Sequence, residues 1–271
     1  MDVIIYLDEL PTSDDTLAMA ALWLKHIPAR VTVMTPARLA AILWGRASAR
    51  LEGLFLDELT FKTAEDHPLD TVCDECESGS YDLLIAAPAG RTRLQRLFRG
   101  SRIGHLVQSI ATSVLIARRV PTAIGRVLVG VGTAEHALVD VRVAIVVARA
   151  FQAELHVIHV VSQVPLMFTG LEHMRTELDS YLDSGLPGTA ILASARQLIA
   201  DAGFQPQIHV REGLVRDELM DEACNRNYGL LVIGAHVSQG WMSLLLDDIA
   251  DYIVRDCSIP TLVVRSEPDW I

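Results

Sequence analysis

The segment YDLLIAAPAG (81–90) recurs 147 residues later as YGLLVIGAHV (228–237), and SVLIAR (113–118) recurs at the same offset as PTLVVR (260–265). Nearer the start of each half the offset is 124: VIIYLD (3–8) lies over VLVGVG (127–132), and ARVTVM (29–34) over AELHVI (153–158). A repeat of this length constrains the fold more than any local propensity, because one architecture must suit both halves. The change of offset leaves about 23 extra residues in the middle of the second copy, around SQVPLMFTGLEHMRTELDSYLDSGLPG (162–188).

Each copy alternates short β-branched runs with longer helical patterns. In the second, RVLVGV, ELHVIHVV, QPQIHVRE, GLLVIGA and TLVVR read as strands. EHALVDVRVAIVVARAF, TAILASARQLIADAG, LVRDELMDEACNRN and LLLDDIADYIVRDC read as the helices between them. Alternating strands and helices, with strands apolar on both faces, predict a parallel sheet covered by helices. The expected class is therefore α/β, with two tandem open parallel-sheet, Rossmann-like domains. A boundary near RRVPTAIG (118–125) divides them into residues 1–120 and 121–271. Such sheets bind ligands beyond the carboxyl ends of their strands, where strand order reverses. In the first copy that brings together Asp8, the stretch near Thr35 and Pro36, and the loop from Ala87 to Gly100.

That loop, APAGRTRLQRLFRGSR (87–102), holds Arg91, Arg93, Arg96, Arg99 and Arg102 in a chain whose net charge is -11. The excess acid lies elsewhere: residues 1–120 hold 13 basic and 15 acidic side chains, residues 121–271 hold 10 and 19. An acidic chain is repelled by nucleic acid, so a nucleic-acid partner is not expected, and the arginines read as a local anion site or a solvated face. Arg93 and Arg96, mid-loop and away from the glycines, belong to the solvated reading. Gly90 and Gly100 let backbone N–H groups approach phosphate oxygens, and Ser101 can open a helix whose N-terminus favours negative charge. Arg91, Arg99 and Arg102 add charge-assisted contacts. No apolar run reaches the roughly 18 residues of a membrane span. MDVIIYLDEL lacks the basic start of a signal peptide, so a cytoplasmic protein is expected.

The doubled α/β unit, the glycine-bearing loop after the fourth strand and the terminal LVVR strand resemble the universal stress protein family in its tandem form, over essentially the whole chain. Nucleotide-binding members carry a loop of the form Gly, two residues, Gly, nine residues, Gly, Ser/Thr, with an acid at the end of the first strand. Ala87, Gly90, Gly100 and Ser101 are similar to that loop, and Asp8 stands at the acid. The fold implied is of the adenine nucleotide alpha hydrolase-like kind. The implied cofactor is ATP or another adenine nucleotide, with Mg as an optional companion, and the implied role is stress response or regulation. Pro36 stands where members read adenine with a backbone N–H, and proline has none. The second copy departs further: Val237 replaces the second glycine, Asp247 and Asp248 replace Gly-Ser, and Gly132 replaces the acid, so its site is read as degenerate. The loop lacks the Gly-Lys-Ser/Thr ending of a P-loop, so at most slow ATP hydrolysis is implied. The alternative is a nucleotide-free scaffold working through protein contacts.

Three further features have plainer readings. CDEC (73–76) has the spacing of a redox pair or half a zinc site, with His67 the one close addition, but it does not stand before the helix of a βαβ unit in thioredoxin fashion, and its cysteines lie over Met220 and Ala223 and read as inner-face helix positions. His156 and His159 are an odd number apart on a strand, so they face opposite sides and cannot share a metal. His236, in the second copy's loop, has no evident nucleophile beside it. The short apolar strands SVLIAR and TLVVR leave edges that invite pairing. The expected solution is pairing of the two copies within the chain, with a possible homodimer through Val164, Leu166, Met167 and Phe168 of the extra segment.

Overall fold

The computed structural model describes residues 1–9, 11–54, 56–65, 68–88, 110–161, 174–176, 178–185, 188–235, 250 and 252–265. They divide into two compact units, one of Met1–Ala123 with Val254–Trp270, the other of Ile124–Ile253.

In the first unit β1 (Asp2–Tyr6), β2 (Arg30–Pro36), β3 (Glu58–Ala64), β4 (Leu83–Ala86) and β5 (Ser113–Ile116) run parallel in the order β3-β2-β1-β4-β5. Helices α1 (Thr12–Leu24), α2 (Ala40–Leu51) and α3 (Pro68–Ser78) cross over between them. Every residue of β4 and β5 is buried, as expected of strands covered on both faces. α1 starts where Thr12 Oγ1 and Ser13 Oγ donate to the Glu9 carbonyl at 2.8 and 2.9 Å, and Asp14 and Asp15 in its first turn complement the helix dipole. Its Leu17, Ala20, Trp23 and Leu24 are buried.

The second unit repeats the plan. β6 (Arg126–Gly130), β7 (Glu154–Val161), β9 (Gln207–Glu212) and β10 (Leu230–Gly234) stand in the order β10-β6-β7-β9. Helices α4 (Ala137–Phe151), α6 (Thr189–Asp201) and α7 (Val215–Asn225) connect them. β6 falls where the 124 offset puts β1, and α7 where the 147 offset puts α3. The extra residues of this copy include a strand not expected from the sequence, β8 (Met174–Thr176), and a short helix, α5 (Leu178–Leu182). β8 pairs antiparallel with β9, which gives backbone partners to an edge otherwise bare.

β11 (Thr261–Val264) lies antiparallel on β5 within the first unit. The register centres on Leu115 opposite Leu262, its own repeat equivalent. Flanking contacts follow the same local twofold relation. Arg118 donates to the carbonyls of Val254 and Cys257 at 2.7 Å each, and its equivalent Arg265 donates through Nε to the Ile110 carbonyl at 3.1 Å. Two short strands, too apolar to face water, thus satisfy each other's backbone groups.

Candidate functional site

Strand order in the first unit reverses between β2-β1 and β4-β5, so the carboxyl ends of β1 and β4 flank the switch point. The Leu7 N–H donates to the Met34 carbonyl at 3.0 Å, extending the ladder one residue past β1. The chain leaves the sheet at Asp8. On the other side Ala87 follows β4, whose last carbonyl, Ala86, accepts from the Ala117 N–H at 2.8 Å.

A cleft of about 570 Å³ opens to one side of this point, over the carboxyl ends of β1, β2 and β3 and the start of α3. Asp8 forms one wall, Pro36 and Arg38 follow β2, Glu65 follows β3, and Asp70 stands in the first turn of α3. Pro36 is buried with φ -56 and ψ 135, the last residue of its strand, and has no N–H to offer the cleft. Of the residues singled out in the sequence, Asp8 and Ala87 thus stand at neighbouring strand ends. Gly90, Arg91, Arg99, Gly100, Ser101 and Arg102 lie outside the described residues, as do His67, His236, Val237, Asp247, Asp248 and the apolar group from Val164 to Phe168.

The glycine-to-alanine change at 87 has a structural counterpart. Its repeat equivalent Gly234 sits where an added Cβ would come within 2.2 Å of Asp140 Oδ2, on a side chain only 3% exposed. In the first unit the position of Asp140 is held by Thr16, a shorter side chain, whose hydroxyl donates to the Thr12 carbonyl at 3.2 Å. Glycine is required beside the aspartate, whereas the first copy carries threonine and alanine together.

At the carboxyl ends of β6 and β7 the second unit is arranged differently. Gly132 stands at the Asp8 position. His159, 1% exposed, donates from Nδ1 to the Val131 carbonyl at 2.7 Å and accepts at Nε2 from the Tyr181 hydroxyl at 2.8 Å. Burial pushes the His159 imidazole below its ordinary value, with the Val131 carbonyl opposing, which favours the neutral ring, a form that satisfies both bonds. Gly188, at φ +95, closes on the same ring: a Cβ there would lie 2.9 Å from His159 Cε1 and 3.1 Å from the Thr133 methyl. Segments of the extra residues therefore pack directly on these strand ends. Tyr181 could not be found from the sequence, being 22 residues from its partner with no periodic relation to it.

Cys73 and Cys76 both lie on α3 as free thiols, Cys76 buried. Burial pushes both thiols up, that of Cys76 to about 12, which leaves them protonated and poor metal ligands or nucleophiles. His156 and His159 do face opposite sides of β7. Among the described residues no group of three or more His, Cys, Asp or Glu can hold a metal ion, and no helix is long and apolar enough to cross a membrane.

The family model of the universal stress proteins matches residues 123–265. Universal stress protein MJ0531 of Methanocaldococcus jannaschii is 25% identical over 122 residues, covering 45% of this chain and 71% of its own length. YxiE of Bacillus subtilis, also a universal stress protein, is 24% identical over 129 residues, covering 45% and 86%. The solved structure of a universal stress protein from Archaeoglobus fulgidus matches 99% of this chain and 97% of its own, with a TM-score of 0.69 at 17% identity.

Proposed function

The chain belongs to the universal stress protein family, and from that membership we propose that it is a tandem member that binds one adenine nucleotide, in the first unit, as a ligand-gated regulator in stress response. The observation that carries this reading is the open cleft over the carboxyl ends of β1–β3, with Asp8 as its wall and Ala87 beginning the glycine- and arginine-bearing loop. Asp8 holds ribose hydroxyls, since a carboxylate accepts two such bonds. The loop sequence from Gly90 to Arg102 supplies backbone N–H groups and guanidinium charge to the phosphates, with Mg as their counter-ion where it is bound. The loop sequence holds no lysine and lacks the Gly-Lys-Ser/Thr ending of a P-loop, so the role is binding rather than rapid hydrolysis. In the second unit Gly132 offers no carboxylate, and in the sequence Asp247 and Asp248 replace the Gly-Ser pair of the loop; that copy is read as a structural partner. The protein so read acts in the cytoplasm, and the ligand rather than nucleic acid is its partner.

Heat-denaturing the purified protein and separating the released small molecules tests the reading. ATP, ADP or AMP in the supernatant supports it, and their loss in Gly100→Asp assigns them to the first unit's loop. A protein that releases none and shows no calorimetric response to added ATP is instead the nucleotide-free scaffold.

A further inference from the structure

Two clusters occupy the same place in the repeat, toward the amino ends of the strands. In the first unit Glu75 Oε1 on α3 accepts from Lys62 Nζ and from the Tyr81 hydroxyl, each at 2.7 Å, and the Tyr81 oxygen lies 3.2 Å from Thr32 Oγ1. In the second, the offsets of 147 and 124 put Glu222, His209, Tyr228 and His156 at these four positions. The tyrosine and the glutamate are retained, and Tyr228 donates to Glu222 Oε1 at 3.2 Å. The lysine and the threonine have both become histidines.

Those histidines meet. His156 Nδ1 lies 3.2 Å from His209 Nε2, with the rings 19° from parallel and their centroids 5.5 Å apart. Only one hydrogen fits between two nitrogens at that distance, so one of them must be bare. With both rings neutral this is met: His156 Nε2–H donates to Glu154 Oε2 at 3.3 Å, its Nδ1 is the acceptor, and His209 Nε2–H is the donor. One added proton, on His209 Nδ1, leaves the bond intact. Two added protons set N–H against N–H and break it.

We propose that the His156–His209 pair is a proton-sensitive latch between β7 and β9, closed with no more than one imidazolium and opened when both rings are protonated. The first unit, with Thr32 and Lys62 at these positions, has no such latch.

The surrounding charges favour expulsion of the second proton. Glu222, on α7, is already engaged by Arg211 and, at 3.3 Å, by Arg226; Glu154 is engaged by Arg126 at 2.8 Å. Arg211 of β9 also pairs with Glu218 at 3.4 Å and Asp221 at 3.8 Å. His209 Nε2 is 4.0 Å from Glu222 Oε1 and His156 is edge-on to the Tyr228 ring. Burial is the main cause holding the His209 ring below its ordinary value; Glu222 opposes it, and His156 and Arg211 add to it. A ring so depressed takes up more protons when unfolded, so the stability it contributes is present above about pH 6.5 and is lost as pH falls below that.

Ring-detected NMR titration of the intact protein, with thermal unfolding from about pH 7.5 to about pH 5, tests the latch. The two rings should titrate as a coupled pair rather than independently. His156→Thr, which imports the first unit's residue, should move the His209 titration up in pH, and both it and His209→Lys should lose less Tm on acidification than the wild type. Wild-type rings that each titrate in a single independent step would overturn the proposal even if neither variant folds, as would a His209 titration unmoved by His156→Thr.

Discussion

Residues that differ between the two copies identify which contacts the fold can exchange only in concert. Gly234 faces Asp140, and Ala87 belongs with Thr16, so Gly234→Ala forces an overpacked contact on a buried carboxylate. It should lower stability by about 1–3 kcal/mol, whereas Ala87→Gly should change it by less than about 1 kcal/mol, both read from urea unfolding. Arg211 is a harsher case. Its side chain is 5% exposed and lies against Glu218 and Glu222, themselves 4% and 1% exposed, so Arg211→Met removes the buried cation that both carboxylates share. A loss of about 3–5 kcal/mol is expected, and Glu222→Gln alongside it should recover part of that loss. The cluster was half legible in the sequence. The 147 offset lays Tyr228 over Tyr81 and Glu222 over Glu75, but Arg211 lies over Ala64, and nothing local marks a buried cation on a strand.

Among the elements, β5 and β11 show how far an apolar pattern carries. Their shortness, their β-branched content and the absence of any following cover led to pairing as the expected solution, and they pair antiparallel about Leu115 and Leu262. A proline at Ile116 or Val263 removes a ladder donor from a buried pair and should cost on the order of 3 kcal/mol. Unchanged unfolding midpoints in both variants would show that the strand pair contributes nothing to stability. β8 and α5 were not legible, because three- and five-residue elements carry too few residues for a periodic pattern and owe their form to β9 and to His159. Tyr181→Phe tests that dependence: His159 Nε2 loses its donor while buried, and a loss of about 1–3 kcal/mol is expected.

For the whole molecule, the repeat and the strand pattern made the α/β class and the order of elements readable, since each half had to satisfy the same sheet. The site was readable only as strand ends: Asp8 and Pro36 could be assigned to the cleft from topology, but the contribution of Arg38, Glu65 and Asp70 depends on where β2 and β3 end and how α3 begins. The central claim is asymmetry, one nucleotide site in a chain written twice. Isothermal titration of ligand-stripped protein with ATP measures it directly, giving the number of sites as well as the heat. The account predicts one site per chain, abolished by Gly100→Asp and weakened by Arg102→Ala with a flatter salt dependence. Two sites per chain, or one site that survives Gly100→Asp, would contradict it.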